Sequence, residues 1–343
     1  MKKNFSASFY RTLAKELIVQ KKWNKATQAL KKAINLEPNN CWSYELLARS
    51  LTHIDNPSNL DLSRTEIKEH ISIYQTFSKH LISKTHPNFV GQKNQKELSG
   101  LPNFLVIGQQ KCGTTFLYYY LIQHPNILPS VKKEIHFWED NFNLGLDWYA
   151  AHFPYIEAEQ NYITGEATAN YINSLDIAEN IYKYIPNLKL IVLLRNPIDR
   201  TISNYYMNYQ LKIENRSLEE AVFCRIKSNG QPAINNCINR IGERQYLTKS
   251  KYINLITQWM KVFPREQFLI VRSEDLFKKP DTTMSHIFDF LEVDMYQIAE
   301  YKKINLGSYP SISDSNRQAL GSYFRPYNQQ LENFLGMQFD WDL

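Results

Sequence analysis

The feature that most constrains this chain is a short apolar run, Phe104-Leu105-Val106-Ile107, leading into Gly108-Gln109-Gln110-Lys111-Cys112-Gly113-Thr114-Thr115. Four consecutive apolar residues between polar neighbours read as a strand buried on both faces. After Thr114 the chain continues at helical length to about Gln123, where His124-Pro125 stops it. A strand, a glycine-bearing turn and a helix in that order present free backbone N–H groups at a positive helix end. That geometry suits an anionic phosphate. Gly108 and Gly113 have the spacing of the phosphate loop GxxxxGK[ST], and Thr115 stands at its hydroxyl position. The cation has moved, however: Thr114 follows Gly113, and the lysine sits three places earlier, at Lys111.

Two more buried strands are readable. Leu188 to Leu194 is followed by a helix from about Ile198, and Phe268 to Val271 forms another apolar run. Strands alternating with helices predict an α/β fold, a P-loop-like parallel sheet flanked by helices. The strand ending at Leu194 delivers Arg195-Asn196-Pro197, with Ser203 in the helix beyond. An arginine at a strand's carboxyl end meets ligands in such sheets, and its planar fork suits a phosphate. Asp199 and Arg200 read as a helix cap and a local ion pair.

The first third is different. Tyr10, Leu13, Ala14 and Leu17, then Ala26, Leu30, Ala33 and Ile34, repeat at helical spacing around a turn at Lys21-Lys22-Trp23. This predicts a helix hairpin over residues 7–36. With small residues inside and Pro38 closing it, the segment looks like one tetratricopeptide repeat. A second, poorer round starts at Tyr44, Leu47, Ala48 and Leu51, with a helix around Ile67 to Leu81. Fewer than three repeats rarely stand alone, so these helices are expected to lean on the rest of the chain. The expected division is a helical domain at 1–83, a polar linker at 84–101 and an α/β domain at 102–343.

Residues 1–100 carry 16 Lys+Arg against 8 Asp+Glu, while the remainder carries 24 against 26. The basic excess therefore belongs to the helical third. It reads as a solvated face or as a dock for an acidic protein partner. No arginine cluster or reader motif points to nucleic acid. Cys41, Cys112, Cys224 and Cys237 form no CxxC pair, so neither a disulfide scaffold nor a metal site is expected. No run of about 18 apolar residues spans a membrane. The N-terminus lacks the apolar core of a secretory signal, and a cytoplasmic location with reduced thiols is the expectation.

The stretch FLVIGQQKCGTTFLYYYLIQHPNI resembles the 5′-phosphosulfate loop of sulfotransferases that use 3′-phosphoadenosine-5′-phosphosulfate (PAPS). The likeness is greatest to the heparan sulfate N- and O-sulfotransferase branch and its bacterial relatives. KLIVLLRNPIDRTISNYY resembles the family's grip on the nucleotide 3′-phosphate, and KKEIHFWEDNFNLGLDWYAAHFP its acidic segment. QWMKVFPREQFLIVRSEDLFKKP, NLGSYPSIS and SYFRPYNQQLENFLG resemble its later units, so the likeness covers roughly residues 102–341 in order.

The resemblance implies sulfuryl transfer from PAPS to a hydroxyl or amine of a saccharide, lipid or small metabolite, releasing PAP. It implies donor binding by Gln110, Lys111, Cys112, Gly113, Thr114, Thr115, Arg195 and Ser203, without a metal. It makes Lys111 catalytic at the bridging oxygen and Glu134 the base. His136, two residues on, is the competing base, because in an extended strand the two side chains face the same side. A carboxylate base is favoured if burial raises its pKa. The segment GEATANY departs from the N-sulfotransferase branch, placing Glu166 where that branch carries lysine. Two rival readings are a P-loop kinase, against which the displaced lysine speaks, and a repeat-bearing binding protein with a silent transferase domain.

Overall fold

The computed structural model describes residues 5–37, 64–89, 100–157, 159–223, 245–301 and 309–341, together with 43, 46, 47 and 50. The chain divides into two compact units: Met1–Leu105 with Leu121–Thr168, and Val106–Tyr120 with Ala169–Leu343.

The N-terminal hairpin forms as the spacing predicts. Helix α1 (Ala7–Val19) is capped by Ser6, whose Oγ accepts from the Phe9 amide at 3.2 Å, and α2 (Trp23–Leu36) returns beside it. Ala14, Ala26, Leu30 and Ala33 are fully buried, so the small residues lie where the two backbones meet. Helix α3 (Arg64–Thr85) extends beyond the expected Ile67–Leu81 and just past residue 83. Its Tyr74 ring lies edge-on to Trp148 at 5.8 Å and beside His152 at 4.1 Å. Helix α3 thus leans on later parts of its own unit. Most of the second repeat-like round, the linker beyond residue 89 and three of the four cysteines lie outside the described residues.

The sheet has five parallel strands in the order β2-β3-β1-β4-β5, where β1 is Phe104–Gly108, β2 Ile127–Pro129, β3 Ile163–Ala167, β4 Lys189–Leu194 and β5 Phe268–Arg272. Every residue of β1 is buried, as is all of β4 after Lys189, which is why both read as unbroken apolar runs. Helix α4 (Thr114–Leu121) follows β1, and α7 (Pro197–Gln210) follows β4. Between them come α5 (Leu146–Ala150) and α6 (Leu175–Tyr184). From β1 the chain leaves toward β2 and β3, and from β4 toward β5. A ligand crevice therefore belongs at the carboxyl ends of β1 and β4.

Strands β2 and β3 carry no clear sequence signal. β2 is only three residues long, and β3 reads Ile-Thr-Gly-Glu-Ala, too polar for a buried strand. The polarity is satisfied internally: Thr164 Oγ1 donates to Leu128 O at 2.9 Å, and the Thr164 amide donates to Asn103 Oδ1 at 2.9 Å. Gly165 is required by close approach. A Cβ there would lie 2.5 Å from the Phe104 carbonyl oxygen and 2.6 Å from its ring. Gly165→Ala is expected to cost about 1–3 kcal/mol through overpacking. A lowered thermal midpoint checks this; an unchanged one would show that the two strands have room to part.

Candidate active site

The loop after β1 is held by its own first residue. Gln109 is fully buried; its Nε2 donates to Asn173 Oδ1 at 2.9 Å and to Lys249 O at 3.1 Å. Its Oε1 accepts from the Gln110 amide at 2.6 Å, and the Cys112 amide donates to Gln109 O at 3.1 Å. A Cβ at Gly108 would meet Ile172 Cγ2 at 2.5 Å, so only glycine lets the strand enter the turn here. Lys111 and Gly113 take left-handed backbone, with φ of 74° and 93°. Ser273 Oγ lies 2.7 Å from Cys112 O and 3.0 Å from Leu194 O, which ties the loop to the end of β4.

These bonds decide which loop groups face a ligand. The Gln110 amide is consumed by Gln109, and the Gln110 side chain accepts from Asn204 Nδ2 at 3.3 Å. Cys112 is fully buried with its amide engaged; burial pushes its thiol up to about 11. Among the described residues, the amides of Gly113, Thr114 and Thr115 have no protein acceptor. These are the orphan donors of α4's first turn.

Around these donors the charge is positive and unbalanced. Arg195, half-buried at the end of β4, has Nη1 3.4 Å from Lys111 O and Nη2 3.4 Å from Tyr309 Oη. Lys111 has its pKa lowered, first by burial and then by repulsion from Arg195 and Arg200. Arg200 is fully buried and donates to Ser250 Oγ at 2.7 Å, Tyr246 O at 3.0 Å and Asn204 Oδ1 at 3.2 Å. Its expected local ion pair is absent among the described residues, because Asp199 turns instead to Arg317 at 3.0 Å. Nor is Asp199 the cap of α7: Asn196 Oδ1 accepts from the Ile198 amide at 2.9 Å. Ser203 is buried on α7 with no hydrogen-bond partner for its hydroxyl among the described residues.

The acidic segment belongs to the other unit. Glu134 and His136 do not lie on an extended strand: His136 adopts left-handed backbone (φ 56°, ψ 31°) and starts a π-helical turn, Phe137–Asn141. Its Nε2 lies 3.2 Å from Glu134 Oε2, and its Nδ1 is hydrogen-bonded to Glu139. Lys133 Nζ reaches Glu134 Oε1 at 3.2 Å. Burial pushes the Glu134 carboxyl up, but His136 and Lys133 outweigh it and hold its pKa at about 2. Burial likewise disfavours charged His136, yet the two flanking glutamates raise its pKa to about 10. With both nitrogens on carboxylates, His136 is an imidazolium donor at neutral pH and has no lone pair to take a proton. Glu134 is ionised there, so the condition that burial raise its pKa is not met.

Glu166 organises this segment from beneath. It is fully buried, accepts from Tyr149 Oη at 2.8 Å and Thr168 Oγ1 at 2.6 Å, and lies 3.4 Å from the Ile135 amide. Thr168 Oγ1 also accepts from the Ile135 amide at 3.1 Å. His136, Glu139 and Asp140 present ligand atoms within 4.8 Å of one another, but a cation there would have to displace the His136–Glu139 hydrogen bond. Glu139 escaped sequence reasoning because the segment read as extended; its position three residues after His136 is the helical signal that marks it.

A family profile described as "Sulfotransferase domain" matches residues 101–315. The membrane-associated sulfotransferase kil1 of Dictyostelium discoideum is 30% identical over 331 residues, covering 76% of this chain and 70% of that protein. The human bifunctional heparan sulfate N-deacetylase/N-sulfotransferase 3 is 30% identical over 270 residues, covering 70% of this chain; the chain spans about 30% of that relative's length. A crystal structure of a sulfotransferase from Alicyclobacillus acidocaldarius superposes with a TM-score of 0.57 at 25% identity, covering 70% of this chain and 97% of that one.

The two shifted pKa values set a pH signature. His136, raised from 6.5 to about 10, contributes stability that is full below about pH 6.5 and is lost as the pH rises through about 10. Glu134, lowered from 4.5 to about 2, contributes stability that is full above about pH 4.5 and is lost as the pH falls through about 2. NMR of the imidazole nitrogens is expected to show His136 still protonated at pH 8. A midpoint near 6.5 would mean that the two glutamates do not hold it.

Proposed function

The chain belongs to the sulfotransferase domain family and is a sulfotransferase, and on that premise we propose that its donor is PAPS, held by the loop after β1 and by the end of β4. The observation that carries this reading is the set of orphan amides at Gly113, Thr114 and Thr115 beside Lys111 and Arg195, cations with no paired carboxylate among the described residues. A helix N-terminus with adjacent cations fits a phosphosulfate. Arg195 and the unpartnered Ser203 hydroxyl are assigned to the 3′-phosphate. Gln110 and Cys112 shape the loop rather than contact the donor. PAPS supplies the activated sulfuryl group, and PAP is the leaving nucleotide.

In the proposed reaction the acceptor hydroxyl or amine loses its proton to Glu134. Two cationic neighbours keep Glu134 ionised at neutral pH, so it contributes position and full availability more than basic strength. His136 holds that carboxylate from one side and is not itself the base. Lys111 stabilises charge that develops on the donor's bridging oxygen. The acceptor class is a saccharide, lipid or small metabolite. A strongly anionic heparan-type chain is disfavoured: residues 101–343 carry 24 basic against 26 acidic side chains, and Glu166 is turned inward. The N-terminal hairpin, read as tetratricopeptide-like, is the candidate dock for an acidic protein partner. A reducing, cytoplasmic setting suits the free, buried Cys112 thiol.

Arg195→Ala is expected to weaken PAP binding about 10–150-fold, the worth of a charge-assisted hydrogen bond to phosphate. Calorimetry checks it, and unchanged affinity would remove Arg195 from the donor site. Once mass spectrometry of treated acceptor mixtures identifies a sulfated product, Glu134→Gln is expected to slow turnover about 10²–10⁴-fold while leaving PAP affinity alone. Near-normal turnover in that variant would assign the proton to another group.

A further inference from the structure

Strand β4 pairs with β5 as far as Leu194 opposite Arg272, and beyond that register both chains leave the sheet. The peptide between Arg195 and Asn196 therefore needs partners from elsewhere, since buried backbone donors and acceptors are seldom left unpaired. Two side chains supply them. Tyr252 Oη donates to Arg195 O at 2.8 Å, and the Asn196 amide donates to Glu274 Oε1 at 2.8 Å. Burial pushes the Tyr252 phenol pKa well up, so the proton stays on the donor. The C=O and the N–H of this single peptide are thus each fixed by a side chain. Arg195 needs that support. Its own guanidinium contacts, with Lys111 O and Tyr309 Oη, are both at 3.4 Å, longer than ordinary hydrogen bonds. The direction in which the side chain leaves the strand is therefore set chiefly by the backbone that carries it.

Tyr252 and Glu274 meet in Trp341. The final helix (Asp314–Leu335) ends at Gly336, whose left-handed backbone (φ 64°) turns the chain back. The returning segment is pinned at two points: the Phe339 amide donates to Glu332 Oε1 at 3.0 Å, and Arg272 Nη1 donates to Asp340 Oδ2 at 3.0 Å. Phe339 is fully buried and stacks on Trp341 with ring centroids 4.4 Å apart. Trp341, 8% exposed, then packs its ring against Tyr252 at 5.7 Å and donates from Nε1 to Glu274 Oε2 at 3.3 Å. One side chain from the tail thus braces both of the groups that hold the Arg195–Asn196 peptide, from a position about 145 residues further along the chain.

We propose that Trp341 is a positioning residue for the donor site, bracing Tyr252 and Glu274 so that the Arg195–Asn196 peptide, and with it the Arg195 guanidinium, keeps one direction. The proposal rests on the reading that Arg195 takes the 3′-phosphate. The test is a double-mutant cycle in the full chain, with PAP affinity measured by calorimetry and backbone amide exchange measured without nucleotide. Trp341→Ala is expected to weaken PAP binding about three- to thirtyfold, as for coupled residues in one hydrogen-bond network, yet by less than about twofold when Arg195 is already alanine. It is also expected to speed exchange of the Asn196 amide while leaving the Val192 amide of β4 unchanged, which separates local release from general loosening. Should Trp341→Ala fail to fold, Trp341→Phe removes the Nε1 donor, keeps a ring against Tyr252 and carries the same cycle. Where Arg195→Ala itself weakens PAP binding, unchanged affinity in the Trp341 variant or an equal loss in both backgrounds would overturn the proposal. An Asn196 amide that exchanges as in the parent chain would overturn it as well. If Arg195→Ala binds PAP as tightly as the parent chain, the donor reading is what fails, and exchange at Asn196 still decides whether Trp341 holds the peptide.

Discussion

Three cations gather around the carboxyl ends of β1 and β4, and no carboxylate among the described residues forms an ion pair with them. Arg200 is fully buried, Arg195 is half-buried and Lys111 stands on the loop between the strand and α4. Their mutual repulsion is visible in the lowered pKa of Lys111, which burial begins and the two arginines extend. Folding tolerates this because neutral groups solvate Arg200: Ser250, Tyr246 and Asn204. Buried positive charge without a counter-ion is costly, and the ligand able to relieve it is an anion. The orphan amides of α4 point the same way. Much of the unit's polar interior, Gln109 and Ser273 included, serves to hold that arrangement still.

The acidic segment is built on the opposite principle. The charges around Glu134 are paired: Lys133 and His136 lie on Glu134, and Glu139 on His136. Beneath them Glu166 takes a phenol, a threonine hydroxyl and a backbone amide, so the lysine-to-glutamate departure is structural in effect. A donor site needs uncompensated field to hold an anion. A proton-accepting site needs its carboxylate ionised and fixed in direction. The two segments carry these opposite electrostatics: uncompensated cations beside the loop after β1, and paired charges around Glu134.

The parts legible in the sequence are those whose geometry is local. The strand–glycine–helix order forced the loop, and the shifted lysine was visible by counting. Arg195 followed from the end of an apolar run, and the helix hairpin followed from its period. What escaped depends on contacts between distant residues. Gln109 looks like a loop residue, yet it is the anchor, because Asn173 and Lys249 lie 64 and 140 residues away. Strand β3 hid because its polar side chains find partners only after folding. The charge state of Glu134, the proposed base, was not legible. Type and position picked out Glu134, but the direction of its pKa depended on His136 turning through left-handed backbone to place a nitrogen on each of two glutamates.

The uncompensated cations and free amides are proposed to hold a phosphosulfate nucleotide rather than a metal-bound triphosphate. The most direct measurement is the thermal midpoint of the full chain with PAP and, separately, with ATP, each with magnesium and with a chelator. PAP is expected to raise the midpoint equally with and without magnesium, by an amount corresponding to about 2.7 kcal/mol at a hundredfold excess over its Kd, and ATP to do much less. Stabilisation by magnesium–ATP with no response to PAP would contradict it.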